Sequence, residues 1–349
     1  MGRLKDAAAP AWSSAGPSRG GRGFVSVSPR RRCPVCGHDS WCQLSRDGAV
    51  VLCKRVGDGG RPKVNRAGVT HFVHRNGPGA ARVLADLPPP TTGRAPAEVL
   101  DEAHRAVLAV LRLDDVDHDA LRARGLDDAA IASNAYRTLP IAGRARLAGA
   151  IVGAVGELAA VGVPGVAREE RDDGAAWLTF KGSPGLLIPC RDLDGRVVAL
   201  KVRRRDPIEA GAQRYLYVTS SRHGGASALS SVHVPAEALA MRGGGAPLVL
   251  TEGELKADVV THLAQRPAVS LPGVGAWRQG LEVVRTWPAE RVVVAFDADV
   301  RTNPAVASAE AALVSALRAE GVRVEVLRWD GAKGLDDFLR ARMGAEVQR

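Results

Sequence analysis

The chain has 349 residues, 46% of them hydrophobic and 25% charged, with a formal net charge of +10. That length suits two or three domains with cores of their own, and no apolar run approaches the roughly 18 residues of a membrane span. The first 23 residues lack the apolar centre of a signal peptide, and Asp6 stands where a myristoylation signal at Gly2 wants Ser or Thr; a cytoplasmic protein with no membrane partner is expected.

The charge is unevenly spread. Residues 1–85 hold 15 Lys plus Arg against 4 Asp plus Glu, a formal +11, which leaves the rest at −1. A basic surface concentrated in one segment suits a polyanion such as nucleic acid. Residues 1–30 read as a flexible basic arm.

A zinc ribbon is expected over 31–85. Four of the five cysteines, Cys33, Cys36, Cys42 and Cys53, fall within 21 residues. In a cytosolic chain such a cluster signals metal rather than disulfides. Cys33 and Cys36 form a knuckle. Asp47-Gly48 predicts a hairpin in which paired residue numbers sum to 95, so Leu44 faces Val51 and Cys42 faces Cys53. Residues so opposed are about 5 Å apart on one face. Four thiolates at about 2.3 Å from the ion make a closed, structural Zn2+ site. His38 is the competing ligand; His71 and His74 are more distant ones. The ribbon would hold Arg31, Arg32, Lys54 and Arg55 against phosphates.

A Pro-rich linker follows at 86–96. Residues 97–245 are expected to form a helical and then strand-rich basic subdomain. From Ala97 to about Ala160 the pattern is helical, with Val99, Ala103, Val107, Val110 and Leu111 along one face of the first helix. Gly125 can cap a helix. Residues 185–206 read as strand, Asp194-Gly195 turn, strand, and end in the basic run Lys201-Val202-Arg203-Arg204-Arg205. Cys190 reads as a core residue.

Residues 246–349 alternate strand (247–251), helix (254–265), strand (268–271), strand (291–297), helix (304–319) and strand (322–327). That order predicts a mostly parallel, doubly wound sheet. Glu252 stands where the first strand passes into a helix. It either serves the helix start or sits where open α/β sheets bind ligands. Asp297 and Asp299, two apart in extended chain, point the same way. Two crowded carboxylates call for a divalent, magnesium-like ion. With the two strands parallel neighbours, Glu252, Asp297 and Asp299 would form one cup. Asp336 and Asp337 are candidates for a second ion, with Asp337 alternatively a helix cap.

Glu252-Gly253 after a strand and Asp297-x-Asp299 after a later one resemble the Toprim domain shared by DnaG-type primases, topoisomerases, recombination mediators and some nucleases. The resemblance covers about 246–340. The "LLIPCRDLDGRVVALKVRRRD" stretch and Arg214-Tyr215-Leu216-Tyr217-Val218-Thr219-Ser220 are similar to the subdomain before Toprim in DnaG-type primases. The ribbon is similar in position to the primase zinc ribbon. The whole resembles primase-like proteins of phages and plasmids. It departs from the primase pattern at Ala298, at 300–304, in pairing Cys42 with Cys53, and at Lys256, where many members have an acid.

The resemblance implies an α/β fold: a Toprim doubly wound, mostly parallel sheet, a preceding mixed α+β basic subdomain and an N-terminal zinc ribbon. It implies a DNA primase-like nucleotidyltransferase working on single-stranded DNA with nucleoside triphosphates, in replication of DNA or of a mobile element. Glu252, Asp297 and Asp299 would be catalytic and, with Asp336 or Asp337, hold Mg2+ or Mn2+. Lys201, Arg203, Arg204, Arg205 and Lys256 would contact nucleotide or template, and Trp41, Phe72 and Tyr215 are possible stacking platforms. The alternatives are a Toprim nuclease using water as nucleophile and a non-catalytic DNA-binding scaffold. No Gly-x4-Gly-Lys-Ser/Thr loop is present, so a helicase partner would be a separate chain.

Overall fold

In the computed structural model the described residues are 24–28, 31–45, 50–58, 60–64, 70–75, 93–170, 176–209 and 212–347, without the side chains of 75, 299 and 344–347. Residues 1–23 of the expected arm, the Asp47-Gly48 turn and most of the linker lie outside them.

Five short strands form the N-terminal ribbon: β1 (Phe24–Ser26), β2 (Gln43–Ser45), β3 (Val50–Cys53), β4 (Arg61–Val64) and β5 (Thr70–Arg75). They pair antiparallel in the order β1-β2-β3-β5-β4. Gln43 faces Leu52 and Leu44 faces Val51, the expected register. The strand at 24–26 corrects the expectation of an arm reaching to residue 30: its Val25 pairs with Leu44 and packs beside Val27. Among the described residues the buried centre is Val27, Leu44 and Val51 around three cysteines, too little apolar surface to hold a ribbon without a staple.

The middle region contains α1 (Ala97–Val110), α2 (Asp115–Arg122), α3 (Asp128–Ser133), β6 (Arg137–Leu139), α4 (Arg144–Val155), α5 (Glu157–Ala160), β7 (Val166–Glu170), β8 (Ala176–Phe180), β9 (Gly185–Arg191), β10 (Val197–Arg203) and β11 (Tyr215–Tyr217). The face α1 buries is Leu100, Ala103, His104, Val107 and Leu108, turned by one residue from the expected one. The cause is His104: its Nδ1–H donates to the Val197 carbonyl at 2.7 Å, so a polar residue completes an i, i+3, i+4, i+7 apolar stripe. The β9–β10 hairpin forms as expected. Asp192 Oδ1 accepts the Asp194 and Arg196 N–H groups at 3.0 Å, and Gly195 takes φ +79°, a value that glycine adopts without strain. β6, not expected from sequence, adds to β9, giving an antiparallel sheet β11-β10-β9-β6. α1 and α4 cover one face through Val107, Ile151, Leu187 and Leu200. Leu186 and Ile188 turn to the other, where they meet Leu121, Ile131 and Tyr136.

After α6 (Ala236–Ala240) come β12 (Leu248–Glu252), α7 (Glu254–Ala264), β13 (Ala268–Leu271), α8 (Arg278–Thr286), β14 (Arg291–Val294), α9 (Pro304–Ala319), β15 (Arg323–Val326) and α10 (Leu335–Val347). The order β13-β12-β14-β15 is parallel throughout, with Leu250 facing Val294. Alternate residues serve opposite faces, as a strand requires. Leu248 and Leu250 pack with Val283, Leu313 and Leu317 of α8 and α9. Val249 packs with Ala257, Val260 and Leu335 of α7 and α10. The sheet is doubly wound, and its carboxyl edge carries Glu252 and the loop after β14. Among the described residues no helix is long and apolar enough to cross a membrane.

Candidate functional site

The four ribbon cysteines converge. Their sulfurs all lie within 4.8 Å of one another, with Cys36 to Cys42 at 3.7 Å and Cys42 to Cys53 at 3.8 Å. A tetrahedron with metal–sulfur bonds of about 2.3 Å has edges of about 3.8 Å, so the donors fit zinc. The Arg55 and Val56 backbone N–H groups donate to Cys53 Sγ at 3.4 and 3.3 Å, as thiolate sulfur favours. Burial pushes the Cys33 thiol up; burial and the neighbouring sulfurs push Cys42 up further. Four sulfurs this close together carry their negative charges only with a cation among them. The expected competitors are elsewhere: His38 is exposed, and His74 Nε2 lies 2.9 Å from the Val56 carbonyl. Neither belongs to the converging set, nor does His71.

At the sheet edge, Glu252 ends β12 opposite Leu271 of β13. Gly253, at φ +84°, is the N-cap of α7, and no side chain caps that helix. β14 stops at Val294, not at 297 as expected. The Val300 N–H donates to the Asp297 carbonyl at 3.0 Å, closing a 3-10 turn over 298–301. The extended-chain argument that aimed Asp297 and Asp299 the same way does not hold; the Asp299 side chain lies outside the described ones. The Ala298 N–H donates to the Lys333 carbonyl at 3.0 Å, which brings the loop before α10 alongside. Asp297 is bound by the Lys256 ammonium. Asp336, in the first turn of α10, is 6% exposed and pairs with Arg124 at 3.2 Å. Burial pushes its carboxyl up; Lys256 and Arg124 pull it back. Asp337 faces outward and pairs with Arg340 of its own helix at 3.4 Å. These carboxylates suit a hard divalent ion in kind. Among the described residues, which leave out the Asp299 side chain, the cysteines are the one set of three or more metal-type donors that converge within 4.8 Å.

The basic residues divide sharply. Lys201 lies between both Glu254 oxygens at 2.7 Å, over the Tyr217 ring at 4.6 Å. Glu254, wholly buried, is nevertheless held below the usual carboxylate range, because Lys201 outweighs its burial. Arg205 is held by Asp114 and Asp117. Of the four residues of 201–205 expected to contact nucleotide or template, Lys201 and Arg205 are thus already paired with acids of the chain. Arg203 is half-buried on β10, and Arg204 donates to the Gln213 carbonyl at 3.3 Å. In the ribbon Lys54 is drawn in beside Cys42, and burial lowers its pKa. Arg55 donates to the Ser40 carbonyl at 2.6 Å and stacks 5.5 Å from the Trp41 ring centre. Trp41 is 57% exposed yet held at φ +70°, an uncommon conformation for a bulky residue. Arg32 is exposed, and Arg31 forms a bridge with Ser28. Tyr215 and Phe72 are half-buried.

Sequence reasoning missed Glu254, Arg124 and a buried network around Asp258. Tyr136 donates to one Asp258 oxygen, and His233 Nε2 lies 3.0 Å from the other. The Arg191 backbone N–H donates to His233 Nδ1 at 3.1 Å, which puts the ring proton on Nε2. His233 also bridges Ser270 of β13. The network ties the middle region to the parallel sheet.

A domain of unknown function, DUF3854, matches residues 240–346. No curated protein matches the chain in sequence. Among solved structures, the Aquifex aeolicus primase (zinc-binding and RNA polymerase domains) superposes with a TM-score of 0.54 at 16% identity, over 91% of this chain and 76% of that one. The RNA polymerase domain of Mycobacterium tuberculosis primase DnaG gives 0.50 at 18% identity, over 72% of this chain and 82% of that one. The chain therefore has the fold of the zinc-binding and RNA polymerase domains of DnaG-type primases, and its four-cysteine cluster fits a zinc ribbon.

Proposed function

We propose that the protein is a cytoplasmic DNA primase-like nucleotidyltransferase. It joins nucleoside triphosphates on a single-stranded DNA template, in replication of DNA or of a phage- or plasmid-type element. The layout follows the sequence reading: a basic arm, a Zn2+ ribbon to about residue 85, a linker at 86–96, a basic subdomain over 97–245 and a Toprim domain over 246–349. The observation that carries the reading is the position of Glu252 at the carboxyl end of β12 and of Asp297 in the loop just after β14, its parallel neighbour, where open α/β sheets bind ligands. The primase-like fold around them supports it. Mg2+ or Mn2+ is the expected cofactor of the reaction. The ribbon would meet template through Trp41, Arg32 and Arg55, and Arg203 and Arg204 would meet phosphates. A helicase would be a separate chain.

The second reading is a non-catalytic DNA-binding scaffold. The Lys256 ammonium on Asp297 favours it, because that acid is already neutralised. Primer synthesis on single-stranded DNA with labelled nucleotides and Mg2+ or Mn2+, wild type beside Asp297→Ala, separates the readings. Short products that vanish in the variant support the primase. Degraded template points to a nuclease. Intact template with equal, salt-sensitive binding by both proteins points to the scaffold.

A further inference from the structure

The acid edge of the parallel sheet carries its own cations. Lys256 stands in the first turn of α7, and its ammonium is bound to Asp297 Oδ1. The two side chains are 14% and 20% exposed, so the pair is little screened by salt. Asp336 lies near the same ammonium. Residue 334 is glycine, and a Cβ there would collide with the Asp336 carboxylate and lie 3.1 Å from Lys256 Cε and 3.5 Å from Nζ. The lysine stem therefore runs over a gap that any other residue would fill. Arg124, just after α2 in the middle region, holds Asp336 at 3.2 Å. Two carboxylates thus meet two fixed cations.

An ion approaching Asp297 meets an ammonium in its place. Displacing that ammonium strands it in a site that is mostly out of water, where the nearby Asp336 is already paired with Arg124, which is costly unless another anion receives it. A triphosphate is such an anion, and a lysine ammonium is a natural partner for phosphate oxygens.

We infer that Lys256 is a tethered cation that closes Asp297 to free divalent ions and passes to the triphosphate of an incoming nucleotide, which brings its own ion. The competition at Asp297 stands on the ion pair itself; the nucleotide as receiver rests on the primase-like reading.

The test uses the zinc-loaded full chain and two titrations by calorimetry: free Mn2+ alone, and a non-hydrolysable nucleoside triphosphate already saturated with Mn2+. Asp297→Asn supplies the blank for binding at this edge. Lys256→Met keeps the stem and removes the charge. It is expected to bind free Mn2+ about tenfold more tightly than wild type, and the Mn2+-triphosphate about tenfold more weakly, as loss of one close charge allows. Lys256→Arg should behave as wild type toward free Mn2+. A merely structural lysine would move neither constant, or both in the same direction. An unchanged Mn2+ affinity, or an unchanged triphosphate affinity, in a Lys256→Met protein that melts normally overturns the inference. Should that variant unfold, the wild type decides: free Mn2+ held at Asp297 as tightly without triphosphate as with it also overturns the inference. Failure of primer synthesis in the wild type would remove the primase reading and leave the Mn2+ competition standing.

Discussion

Two clusters of acidic groups lie at opposite ends of this chain, and they are neutralised in different ways. In the ribbon, four sulfurs stand within 4.8 Å of one another; Arg55 reaches Cys42 only at 4.0 Å. At the sheet edge, Asp297 and Asp336 are met directly by Lys256 and Arg124. The ribbon encloses too little apolar surface to stand on its own, whereas the parallel sheet is packed on both faces. The difference teaches where metal matters for what. The contrast leads to an expectation: zinc would be a folding requirement of the ribbon, whereas the sheet edge needs no ion to fold.

The largest effect that would sharpen this contrast comes from zinc removal. Structural zinc supplies about 10 kcal/mol in small ribbons. Chelation, or Cys42→Ser, should therefore abolish hydrogen-exchange protection in β2 and β3 while β12 and β14 keep theirs. Loss of protection in both regions would break the comparison.

Next is the pair that anchors the middle region to α7. Lys201 and Glu254 are 12% and 2% exposed. Lys201→Met leaves a buried carboxylate without its cation and should cost about 3–5 kcal/mol in urea unfolding. The double variant Lys201→Met with Glu254→Gln should recover most of that loss. An equal loss in the double variant would mean that packing, not charge, is what counts there.

A smaller effect is set by pH. Burial pushes His104 down to about 4, below its unfolded value of about 6.5. Between those values the unfolded chain binds a proton that the native chain refuses, so stability falls as pH falls, by up to about 3 kcal/mol near pH 4. His104→Gln, which keeps a donor for the Val197 carbonyl, should flatten the part of the urea-midpoint slope that this residue contributes. An unchanged slope would contradict the assignment.

The smallest effect concerns the ribbon surface. Trp41→Ala should weaken single-stranded DNA binding by about 1–2 kcal/mol, the contribution of one stacked base, with zinc content unchanged. Unchanged affinity would remove Trp41 as a platform.

Much of this was legible in the sequence where the signal is local. The 42–53 hairpin register followed from alternation about Asp47-Gly48, and the strands and helices expected over 247–327 came out within a few residues of the observed bounds, with α8 between β13 and β14 missed. The site's electrostatics were not legible, because they are made by residues far apart in the chain. Lys256 meets Asp297 across 41 positions, Lys201 meets Glu254 across 53, and Arg124 meets Asp336 across 212. No window of sequence holds such pairs together. The Lys201–Arg205 run looked like one basic ridge for the same reason: the acids that neutralise its two ends belong to α7 and to the start of α2. The misplaced turn at Asp297 has a local cause. Five apolar residues and a β-branched run carried the extended reading past Val294, where the hydrogen bond of Val300 to Asp297 ends it.

The most direct measurement is nucleotide joining on single-stranded DNA, with and without a pre-annealed primer, by wild type, Glu252→Gln and zinc-stripped protein. If the sheet edge does the chemistry and the ribbon meets the template, Glu252→Gln loses both reactions. The zinc-stripped chain then loses new starts but still extends a primer. Full activity in Glu252→Gln, or equal loss of both reactions on removing zinc, would contradict the account.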